Sequence, residues 1–143
     1  MSKAESADLI LKLYELRREP LMREARNWMI SFFPESAADV MQAVMNPETS
    51  AYYRMVISYW DMAASLVNHG AIDEEMFTDS GGEYFVVFSR IVQFLPEMRE
   101  MSGNPKMLEN LEKLVMRQPD FAERLVKSRE SMKRMMEARK NAE

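Results

Sequence analysis

Apolar residues recur along this chain at spacings of three and four, the repeat of a helix with one buried face. The densest stretch runs over residues 47–69. Asn46 and Pro47 have the chemistry of a helix start, a side-chain cap followed by a residue whose missing N–H costs nothing there. Gly70 has that of a stop, with His69 at the negative end of the helix. Between them the polar residues Arg54, Ser58, Asp61, Ser65 and Asn68 fall on one narrow stripe. The rest of the circumference is apolar or aromatic and includes Tyr53, Val56, Ile57, Trp60 and Val67. Such a helix must be surrounded by other elements. The pattern therefore predicts an all-α, single-domain, multi-helix bundle over residues 1–143, built around a central hydrophobic helix at about 47–69.

The other segments follow the same periodicity. Residues 2–19 read as a helix opened by the capping-box pair Ser2 and Glu5, with Leu9, Leu13 and Leu16 as its stripe. Pro20 cannot sit inside a helix without clashing with the preceding turn, so it is read as the start of a second helix over 20–33, or as a kink in one continuous helix. Leu21, Ala25, Trp28 and Phe32 are its expected inner face. Arg17, Arg18, Arg23 and Arg26 give this region a basic side. A short helix is expected over 36–45, with Ser36 and Asp39 at capping-box spacing and Val40, Met41 and Val44 inward. Asp73 opens one or two turns over DEEMF. Residues 83–101 read as one amphipathic helix, lined by Tyr84, Phe88, Ile91, Leu95 and Met98 and bent at Pro96. Asn104-Pro105 starts another with Met107, Leu108, Leu111, Leu114 and Val115 inward. Pro119 opens a last helix to about 140, with Phe121, Leu125, Met132 and Met136 inward.

Composition narrows the function classes. With no cysteine, disulfides, thiol catalysis and zinc–thiolate sites are excluded, which agrees with a reducing, cytoplasmic setting. Neither a signal peptide nor a membrane-spanning stretch is expected. Charge is uneven: residues 1–70 hold 7 basic against 9 acidic side chains, residues 71–101 hold 2 against 7, and residues 102–143 hold 10 against 7. A net charge of −4 makes nucleic acid a poor partner, because phosphate neutralisation dominates that affinity. The basic tail is expected to pack near the acidic middle, in its own chain or a partner's.

Candidate chemistry is thin. His69 is the sole histidine and is read as a helix-end residue. No paired Glu-x-x-His spacing exists for a metal. The Arg-to-His spacing of helical HEPN-type ribonucleases is missing, since Ala63, Ala64 and Ser65 precede His69 at that range. Asp73, Glu74, Glu75, Asp79 and Glu83 lack the alternation of a calcium loop. Phosphate loops and nucleophile elbows are absent. No catalytic residue and no cofactor are therefore expected. Arg54 and Asp61 are read as a structural pair, or as the lining of a ligand cavity. Met132, Met135 and Met136, among 15 methionines, are candidates for an adaptable partner surface.

Residues 52–101, upstream residues 15–29 included, resemble the bacterial family DUF4760. Trp60, Leu66, Gly70, Ile72, Asp73, Phe85, Pro96 and Arg99 carry the likeness. What the resemblance implies is a helical fold and no particular activity; some relatives have an N-terminal membrane segment, which is not expected here. The combined expectation is a non-catalytic interaction or regulatory module that self-associates as a homodimer through the helices at 105–117 and 119–140, or engages another protein. The alternative is a bundle binding a small ligand in an apolar pocket lined by the central helix.

Overall fold

The capping box at the N-terminus forms as the pattern requires: Glu5 N–H donates to the Ser2 hydroxyl, and Ser2 N–H donates to the Glu5 carboxylate. It opens α1 (Lys3–Arg17) in the computed structural model, which describes residues 2–142. Pro20 begins a separate helix, α2 (Pro20–Ile30), and the Glu19 carboxylate accepts from the N–H groups of Leu21 and Met22. There follow α3 (Ala37–Met45), α4 (Ser50–Asn68), α5 (Glu74–Asp79), α6 (Glu83–Ile91), a single 3-10 turn (Val92–Phe94), α7 (Leu95–Ser102), α8 (Glu109–Met116) and α9 (Phe121–Ala142). No strand occurs among the described residues, and the fold is all-α.

The expected central helix is α4, and α2, α3, α5 and α8 pack on it. Its inner residues Val56, Ala63 and Ala64 are fully buried, and Trp60 is only 5% exposed. The helix starts at Ser50 rather than at Pro47. Asn46 instead ends α3, and its side chain accepts from Glu48 N–H in a turn through Pro47. At the other end the boundary is as expected. Gly70 takes φ +79°, with Gly70 N–H donating to Val67 and Ala71 N–H to Leu66, the paired bonds of a left-handed helix stop.

Three segments differ from the sequence pattern. In α2 the buried residues are Met22, Ala25 and Met29, whereas Leu21 is exposed. The apolar arc of α2 is wide enough for either stripe, and the position of α4 selects one. In α1 Leu13 is buried but Leu16 is 55% exposed, because α2 turns away at Pro20. Residues 83–101 are not one helix. Pro96 has no N–H to donate to Val92, and its ring would crowd that carbonyl. The chain answers with the 3-10 turn before α7. All five expected inner residues, Tyr84, Phe88, Ile91, Leu95 and Met98, are nevertheless buried.

α6 is enclosed all round, by α2, α8 and α9. α8 starts at Glu109, later than Pro105, since residues 104–108 form turns that end in Leu108 at φ 55°. One connected core runs from Leu13 to Val115.

A Cβ placed on Gly70 would meet no atom within 4 Å. Gly70→Ala should therefore cost only the backbone strain of the left-handed cap, about 1 kcal/mol. Trp60→Ala should cost on the order of 3–5 kcal/mol. Chemical denaturation of the two variants against the parent chain measures both.

Candidate functional site

Asp61 does not pair with Arg54. α8 begins on a left-handed leucine with no side-chain cap of its own, so an amide of its first turn needs an acceptor from elsewhere. The Asp61 carboxylate, projecting from α4, supplies the missing acceptor: Leu111 N–H donates to it at 3.0 Å and Asn110 Nδ2 at 3.2 Å. A carboxylate there also opposes the positive end of the helix. Asn68, two turns further along α4, donates to Asn110 O at 2.9 Å. The polar stripe of α4 is thus an attachment strip for α8. Arg54 lies at its exposed end, where Nε donates only to Ser50 O of its own helix.

The methionines separate. Met132 is 8% exposed and packed, Met135 is 46% exposed, and Met136 is half-buried beside Trp28, Phe32 and Phe33. In α8, Leu111, Leu114 and Val115 are buried and Met116 is 46% exposed, so the exposed apolar surface at 105–117 is confined to the end of the helix. The tail does reach the acidic middle, through Arg117 of α8, whose Nε donates to Glu74 at 2.9 Å.

The most concentrated polar chemistry is a cluster that sequence spacing did not bring together. Glu83, in the first turn of α6, accepts from Arg26 Nε and Nη2, both at 2.9 Å, and from Trp60 Nε1 at 3.2 Å. The hydrogen bond to Glu83 raises the pKa of Arg26, against the opposing effect of its burial. Arg17 lies 3.8 Å from the same carboxylate and 5.4 Å from the Tyr14 and Trp60 ring centres. The Arg17 and Arg26 contacts join the basic side of α1–α2 to an acidic residue 57 positions away from Arg26, and no local pattern encodes that distance. Every oxygen of Glu83 is committed to donors. That arrangement latches α6 onto α2 and α4.

Beside the latch is a cavity of about 40 Å³ lined by Ile10, Tyr14, Arg17, Tyr59, Trp60 and Phe77. It has room for a water or two; ligand sites typically run to about 300–1,000 Å³. No group of three or more His, Cys, Asp or Glu side chains among the described residues could hold a metal ion. No helix among them is long and apolar enough to cross a membrane.

Tyr59 donates its hydroxyl proton to Leu13 O, and burial pushes its pKa up to about 12. Burial raises Tyr53 as well. An unfolded tyrosine loses its proton near pH 10 while the folded one keeps it, so the unfolded state binds fewer protons there and stability falls as pH rises. From Tyr59 alone the loss between about pH 10 and 12 should be on the order of 2–3 kcal/mol. Tyr59→Phe should flatten that alkaline limb in denaturation curves recorded as a function of pH.

A family model described as a domain of unknown function, DUF4760, matches residues 3–118. No curated protein and no solved structure matches the chain. The residues that carry the likeness all hold the fold. Trp60 donates to Glu83, Gly70 ends α4, Asp73 caps α5 by accepting from Met76 N–H, and Pro96 breaks the helix before α7. Arg99 donates to Met107 O at 2.8 and 3.0 Å and to Glu112 at 3.0 Å, pinning the turns before α8. With the match covering helices α1 to α8, this chain belongs to the DUF4760 family.

Proposed function

We propose that the chain is a non-catalytic interaction module, acting in the cytoplasm and self-associating as a homodimer through the uncovered strip of α4. The observation that supports this reading is an apolar groove where α1 and α2 diverge. Leu16 and Met62, 55% and 44% exposed, flank it, and Met22, Met55 and Tyr59 complete its wall. Only Glu19 and Ser58 add polar groups to the lining. Methionine-rich surfaces adapt their shape to a partner, and a two-fold contact would cover this groove twice. Arg54 has no carboxylate partner among the described residues and stands one turn from Ser58, where it suits the rim of such a contact.

The seat differs from the one expected on helices 105–117 and 119–140, because Leu111, Leu114 and Val115 of α8 face the core and leave Met116 as the exposed apolar residue of that helix. Val126 and Met135 remain exposed on α9, 53% and 46%, and would form the edge of a second contact. The small-ligand reading is less favoured, because the cavity beside Trp60 holds only about 40 Å³ and the larger space that α4 lines, about 520 Å³, is the open groove flanked by Leu16 and Met62.

A stable dimer should bury at least about 1,000 Å² in total. Sedimentation at tens of micromolar should show a dimer, and Leu16→Glu with Met62→Glu should give a monomer of unchanged helical content. A parent chain that sediments as a monomer overturns the proposal. A dimer that persists in the double variant moves the interface elsewhere.

A further inference from the structure

Arg90 is 2% exposed and forms no ion pair among the described residues. Its guanidinium donates one hydrogen bond, from Nη2 to Ile30 O at 3.1 Å, and stands 4.8 Å from the Phe33 ring centre. These contacts fix its orientation, and the bond serves the carbonyl end of α2. They do not neutralise it. Nε has no partner at all, and burial lowers the pKa. An arginine nevertheless stays charged, and a buried charge without a counter-ion is strongly unfavourable.

Arg90 lines the floor of an open groove of about 580 Å³ between α6 and α9. Across the groove α9 presents Arg124, Lys127, Ser128 and Ser131 at successive turns of one face. Three cations therefore share one space, and no carboxylate is part of its lining. Neither Arg124 nor Lys127 has an acidic partner among the described residues. Arg124 is held in place, 3.9 Å from the Phe85 ring centre and hydrogen-bonded to Gln118. The Ser128 hydroxyl donates to Ser89 Oγ at 2.7 Å, which ties the two walls together. Phe85, Val86 and Met135 form an apolar side.

We propose that this groove binds a small phosphorylated ligand, with Arg90, Arg124 and Lys127 on the phosphate and Phe85, Val86 and Met135 against its organic part. Guanidinium groups match phosphate oxygens through paired N–H donors, and a phosphate dianion would supply the charge that Arg90 lacks. The volume falls within the range of about 300–1,000 Å³ usual for small-molecule sites. The α9 wall lies beyond residue 118, outside the region matched by the family. The site would thus be a property of this chain's last helix added to the shared fold.

The test is calorimetric titration of the full chain at low ionic strength with inorganic pyrophosphate. In parallel, the arginine Nε–H signals are followed by NMR, and co-sedimentation with phosphatidylglycerol vesicles is measured. Pyrophosphate should bind, shift the Arg90 Nε–H signal and raise the unfolding temperature by mass action. Lys127→Glu and Arg124→Gln should each weaken binding about tenfold or more, consistent with loss of a charge-assisted contact. Lys127 is exposed and unpaired, so its variant should keep the parent's unfolding temperature without ligand. Failure of pyrophosphate to bind at millimolar concentration overturns the proposal, as does equal binding by parent and variants. Binding to vesicles without binding to pyrophosphate would place the phosphate on a lipid surface and overturn the small-ligand assignment.

Discussion

A helix that is apolar over most of its circumference has to be enclosed, and that constraint organises the chain. α2, α3, α5 and α8 all pack on α4. Its aromatic residues are shared between neighbours: Trp60 lies edge-on to Tyr59 and Phe77, with ring centres 4.8 and 6.3 Å apart. Interlocked rings of this kind add specific geometry to the burial of area. α6 carries the same logic further, since its residues from Tyr84 to Ile91 are buried except for half-buried Val86. Enclosing two helices requires many short segments around them, which accounts for the succession of brief elements from α5 to α8.

Polar groups pulled into such an interior need partners, and the chain supplies them over long sequence distances. Asp61 accepts from the start of α8, Glu83 from Arg26 and Trp60, and Ser6 Oγ from Asp73 N–H at 3.0 Å. Tyr84 and Gln118, both buried, satisfy each other at 2.9 Å. An unpaired buried polar group costs more than its hydrogen bond returns, so these contacts specify which helices may touch. Against that background the bare charge of Arg90 stands out. The other buried polar side chains, Ser6, Ser89 and Gln118, are hydrogen-bonded, whereas Arg90 leaves Nε free.

The family likeness rests on residues that end helices, break them or fasten them together. This explains why it identifies the fold so readily and says little about chemistry. α9 has a different character. It extends past the family match, carries a largely polar surface and buries Met132 alone. Ser128 binds Ser89 on α6, and Arg139 Nη1 donates to Ser31 O at 3.1 Å. Phe121 and Leu125 pack against the core beside Met132, and between these anchors α9 passes over the buried cation of Arg90.

The sequence by itself determined the all-α class, the central helix, the caps at Ser2, Ser36, Asp73 and Gly70, and the inner residues of α6, α7 and α8. These are local matters of periodicity and backbone preference, encoded within a few turns. Tertiary structure alone decided which of two apolar stripes α2 would bury, that Leu16 would be exposed, and that Pro96 would force a 3-10 turn rather than a bend. It also decided the partners of the charged residues. Arg54 and Asp61 share a stripe in sequence, yet α8 takes the carboxylate and leaves the guanidinium in solvent. The Glu83 latch and the Arg90 groove were equally hidden, because each joins residues from helices whose contact no local spacing records.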